Sequence, residues 1–153
     1  MTIQLSHVTP QPQTKSNVKH DNFLFLRFTF PALYHSAKQV EQHYQVDNSI
    51  CLIKARGFCE LICHEIVEIL EIKPPLNGDL YAKISQLSNS QKVPSYIIKQ
   101  LDELRIEGNR SAHVQRDTQG NWKSCTDITE NKLNYLMQNM LELAQFLAFK
   151  LNH

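Results

Sequence analysis

The chain has 153 residues, 42% of them hydrophobic, which is enough for one domain with a single core. A formal net charge of +1 and a pI near 7.7 exclude a protein that coats nucleic acid through a broad basic excess, so any such contact must come from a local patch. No apolar stretch approaches the roughly 18 residues that a membrane span requires.

Residues 1–20 are rich in Gln, Thr, Ser and Pro and carry no apolar period, which predicts a flexible N-terminal tail ahead of a domain over 21–153. "DNFLFLRFTF" opens on a cap candidate, Asp21, and must be buried, as a short helix or an extended segment. Pro31 suits a first helical turn, after which Leu33, Ala37, Val40 and Tyr44 follow a helical period. Asp47, Asn48 and Ser49 are cap candidates for a long helix, "ICLIKARGFCELICHEIVEILEI", apolar on more than one side and therefore central. Pro74 and Pro75 are expected to end it.

A turn at Asn77-Gly78 leads into a short helix holding Leu80, Ile84 and Leu87. Ser95, after Pro94, is the expected cap of "YIIKQLDELRIEGNRSAHVQ". The segment "RDTQGNWKSC" reads as a loop, with Trp122 beside Lys123 as a packing residue rather than a base-stacking platform. Asp127, with Glu130 three residues on, resembles a capping box for the last helix. No repeat and no alternating strand emerges. The fold class is all-α: a four-helix bundle with short extra helices.

"LRIEGNRSAHV" sets two poor helix formers, Gly108 and Asn109, inside the fourth helix. Arg105, Asn109 and His113 recur every four residues and drift only about 40° per step, so they are expected to line one face. Gly108 and Ala112 form an adjacent row of small residues suited to close helix packing, and Arg110 lies beside them. A histidine can act as acid or base near neutral pH, and an arginine can hold a phosphate. Together they have the chemistry of metal-independent RNA cleavage through a ribose 2′-hydroxyl. The structural alternative pairs Arg105 with a carboxylate, ties two helices through Asn109 and caps the helix end with His113.

Arg56 and Glu60 lie four apart on the long helix. They read either as a surface pair or as partners of Arg105 across the bundle. Cys59, Cys63 and His64 offer a Cys-x3-Cys spacing, but no second ligand pair matches it, so no metal and no cofactor is expected. Cys51, Cys59 and Cys63 look like small buried apolar residues. The polar N-terminus lacks a secretory pattern, and the expected setting is reducing and cytoplasmic.

The order "FLFLRFTFPAL…KQVEQHYQVDNSICLIKARGFCELICHEI…LDELRIEGNRSAH" resembles the helical domain at the N-terminus of type I restriction enzyme R (HsdR) subunits. The matching positions are Phe25-Leu26, Glu41, Asp47, Arg56 with Glu60, and Leu104-Arg105, Gly108-Asn109 and His113. That family is similar to the HEPN superfamily of four-helix RNases, toxins and binding modules. The RNases separate their arginine and histidine by four to six residues. Here seven lie between Arg105 and His113 and two between Arg110 and His113, so the spacing departs from the catalytic pattern.

The resemblance therefore implies an accessory domain that binds DNA, RNA or restriction-system subunits. A metal-independent endoribonuclease, built across a homodimer, is the alternative. It also implies either a fragment of a longer R subunit, itself an ATP-dependent site-specific deoxyribonuclease, or a free-standing relative without the helicase and nuclease motifs.

Overall fold

Five α-helices hold most of the residues that the computed structural model describes, which are 21–124 and 128–151. The tail expected over 1–20 and the cap expected at Asp127 lie outside them. The aromatic-rich start forms a 3-10 turn, Leu24–Leu26, that drops Leu26 into the core. Helix α1 spans Pro31–His43 with Pro31 in its first turn. Helix α2 spans Asn48–Leu70, and the Asp47 side chain accepts from the Ile50 N–H at 3.1 Å to cap it. It stops short of the prolines. Glu71 takes a left-handed conformation, φ 52°, and its N–H and that of Ile72 close on the Val67 carbonyl.

Helix α3, Leu80–Asn89, is capped by Asp79. Helix α4, Ser95–Ala112, has Pro94 at its cap position, so Ser95 is its first residue rather than its cap. Helix α5, Glu130–Gln145, is capped by Thr129, which accepts from the Lys132 N–H, and runs on as a π-helical segment, Phe146–Leu151.

Between α4 and α5, two strands correct the expectation of a plain loop. β1, Val114–Arg116, pairs antiparallel with β2, Trp122–Ser124. Asp117 supports the connection by accepting from the N–H groups of Gln119 and Asn121, and Gly120 supplies the left-handed φ of 84°. Three-residue strands are too short for a period-two pattern to emerge from the sequence.

The bundle is all-α apart from this hairpin. Helix α2 lies at its centre and touches every other helix. Its Phe58, Ile62 and Ile66 meet Leu33 and Val40 of α1, Leu101 and Leu104 of α4, and Leu136 and Met140 of α5 in one continuous core. Among the described residues no helix is long and apolar enough to cross a membrane.

Candidate functional site

The buried stripe of α4 runs Ile97, Leu101, Leu104, Gly108, Ser111, in alternating steps of four and three. This rhythm keeps one face on α2, whereas a row of fours rotates away from it. Gly108 therefore sits in the seam. A Cβ there would stand 2.6 Å from the Arg56 Cβ and 2.9 Å from the Leu52 carbonyl oxygen, so the two helices approach to a distance that only glycine permits. Ser49 reinforces the crossing by donating to the Ser111 carbonyl at 3.1 Å. Ala112, expected beside Gly108 in the packing row, is exposed; Ser111 takes the inner place.

Rotation of the row of fours also separates the expected polar face. Arg105 donates from Nε to Asp102 at 2.8 Å and lies over the Tyr81 ring of α3 at 5.1 Å. Asn109, one step on, faces α2 and accepts from Arg56 Nε at 2.7 Å. His113 lies past the helix end, exposed at the C-cap, with its backbone N–H on the Arg110 carbonyl. Arg110 itself pairs with Glu107 at 2.8 Å on the outer face. Among the described residues no partner meets the His113 ring.

Glu60 does not join Arg105. It accepts from Lys83 Nζ of α3 at 2.6 Å, and the same ammonium stands 3.1 Å from Nε2 of His64. This hydrogen bond holds the Glu60 carboxyl below its usual range. Of the predicted cluster, then, the structure joins Arg56, Gly108 and Asn109 and disperses Arg105, Arg110, His113 and Glu60.

Cys59 and His64 point apart. The Cys59 thiol is buried against the Leu101 carbonyl at 3.3 Å, and His64 is exposed. Among the described residues no three His, Cys, Asp or Glu side chains gather as metal ligands.

Two features were missed in the sequence. The first is the outer face of the hairpin. Trp122 is 64% exposed, which overturns its reading as a packing residue, and the Arg116 guanidinium lies 4.2 Å from the indole centroid. Cross-strand pairing of Arg116 with Trp122 fixes this stack, and Arg116 Nη1 is held by the Gly120 carbonyl at 2.8 Å. The second is a cleft between α1 and α5 with Glu41 in its wall. Its signal was legible as a charge inside the buried stripe Ala37, Val40, Glu41 of α1.

A family model described as a domain of unknown function, DUF4145, matches residues 38–148. The chain belongs to the DUF4145 family. No curated protein and no solved structure gives a significant match. The matched stretch of this DUF4145 domain contains the whole α2–α4 seam, the Arg116–Trp122 stack and Glu41.

Proposed function

We propose that this DUF4145 domain is a non-catalytic accessory module that binds single-stranded nucleic acid through the end of α4 and the hairpin. The reading agrees with the resemblance to the N-terminal domain of type I restriction R subunits. The observation that carries it is the exposed Arg116–Trp122 stack, with Arg110 and His113 exposed on the same run of chain. An indole face with a guanidinium held against it offers a base a stacking surface and a phosphate a charge. Base–aromatic stacking is worth about 1–3 kcal/mol per base. With so few cations the affinity is modest, and its log–log salt slope is shallow, on the order of −1 to −2.

The protein has one tryptophan, so its fluorescence reports on this face directly. Titration with single-stranded DNA and RNA oligonucleotides is expected to quench Trp122 emission. The Arg116→Ala variant is expected to weaken binding several-fold. Unchanged emission, with no retention of either oligonucleotide at low salt and micromolar protein, would refute the reading. Binding instead to restriction-system subunits would redirect it to a protein partner. RNA cleavage that resists EDTA and disappears in His113→Ala would replace it with the endoribonuclease.

A further inference from the structure

Helix α1 carries a carboxylate where its apolar period calls for a hydrophobic residue. Glu41 follows Val40 in the buried stripe and is 7% exposed. Burying a carboxylate is costly unless cations and donors surround it. Asn22 supplies two donors, its backbone N–H and its amide, each 3.3 Å from Glu41 Oε2. Lys38 Nζ stands 3.8 Å from Oε1 and 3.5 Å from Asp21, so two carboxylates share this ammonium.

Beyond Glu41 the wall opens into a cleft of about 290 Å³ between α1 and α5. Phe23, Val40, Met137 and Leu141 form its apolar surface, and Asn22, Tyr44, Asn134 and Gln138 supply neutral polar groups. Tyr44 donates its hydroxyl to Asn134 across the rim. Burial, and then the field of Glu130, push the Tyr44 hydroxyl up, which keeps it protonated. Glu41 is the one charged residue among the described residues of the lining. A largely apolar slot with one carboxylate residue in its wall and amides beside it suits an alkyl chain that ends in a cation. The volume is at the small end for ligand sites and fits a single side chain or a short amine.

We propose that the α1–α5 cleft is a binding site for an alkylguanidinium or alkylammonium group, with Glu41 as its counter-charge and Asn134 and Gln138 at its mouth. The group can belong to a free amine or to an arginine or lysine of a partner chain. This site is independent of the hairpin face.

The test is calorimetric titration of the full chain with n-butylguanidinium and with its neutral isostere, N-butylurea. A short peptide with one central arginine and its citrulline counterpart form the second arm. The guanidinium is expected to bind at least about tenfold more tightly than the urea, as a charge-assisted bond to a buried carboxylate requires. Equal affinity for free cation and peptide identifies a free amine as the source; a strong preference for the peptide identifies a partner chain. Glu41→Gln, which keeps the shape, is expected to abolish the preference for the cation. Asn134 is exposed, so Asn134→Lys tests the site without risk to the core and is expected to repel the cation from the mouth. Equal binding of urea and guanidinium, no binding in either arm, or unchanged guanidinium affinity in a folded Asn134→Lys variant would each overturn the proposal.

Discussion

Arg56 Nε donates to Asn109 Oδ1 at 2.7 Å, and the neighbouring Gly108 leaves room for the same arginine's Cβ and Cγ. One residue thus explains both weak helix formers of α4. Glycine admits the stem of Arg56, and asparagine receives its head. Gly108→Ala is expected to destabilise the domain although alanine favours helix by about 1 kcal/mol. The added methyl meets a backbone oxygen at 2.9 Å, and that carbonyl belongs to α2 itself, so the helices must part. The overpacking cost typically reaches about 1–3 kcal/mol, to be read from the shift in urea midpoint. A neutral or stabilising result would mean that the crossing is looser than this geometry.

The Arg56–Asn109 hydrogen bond is charged on one side and half-buried. Each of Arg56→Ala and Asn109→Ala is expected to cost about 1–2 kcal/mol, and the double-mutant cycle to show a coupling near 1 kcal/mol. Arg105 belongs to a separate contact set with Asp102 and Tyr81, so Arg105→Ala is expected to add to Asn109→Ala without coupling. Coupling between Arg105 and Asn109 as large as that with Arg56 would restore the single polar face expected from their spacing.

The sequence carried the helices because their signals are local. The period of Leu33, Ala37 and Val40, the Asp47 cap and the first-turn Pro31 depend on near neighbours alone. Gly108 as a packing residue was legible for the same reason. What failed depended on where a helix crosses its neighbour. Nothing local tells that the stripe of α4 alternates fours and threes, and with that rotation the inner place falls to Ser111 rather than Ala112, and His113 leaves the face expected from its spacing. Glu60 meets Lys83, which neither expected reading names, because Lys83 lies on a helix whose docking on α2 the sequence does not reveal. The Arg116–Trp122 stack needed a register between strands of three residues.

The Glu60–Lys83 pair gives stability a defined pH dependence. The carboxyl of Glu60 is held below its unfolded range by the Lys83 hydrogen bond. The contribution is therefore complete above the unfolded carboxylate pKa, about 4.3, and is lost as pH falls through the lower folded value. With Glu60 at 35% side-chain exposure the pair is worth at most about 1 kcal/mol. Urea midpoints measured from neutral pH downward are expected to fall less steeply in Lys83→Met than in the parent chain. Identical acid limbs would show that the pair contributes nothing.

The three described cysteines offer a direct measure of how tightly α2 is held. Burial, and then the nearby Asp47 carboxylate, push the Cys51 thiol up to about 12. Burial also raises the Cys59 thiol, which lies against the Leu101 carbonyl, and Cys63 is buried beside them. The thiolate is the reactive species, so an aqueous disulfide reagent at mildly alkaline pH finds little of it at Cys51 and Cys59, and burial denies it access to all three. Cys51, Cys59 and Cys63 are expected to be labelled only as fast as the domain opens, with a rate that rises with urea. Gly108→Ala, by parting α2 from α4 beside Leu52, is expected to speed labelling of Cys51 and Cys59. Mass spectrometry of the labelled peptides identifies each site. Rapid modification of Cys59 in the native parent chain would contradict the close α2–α4 contact on which the seam depends.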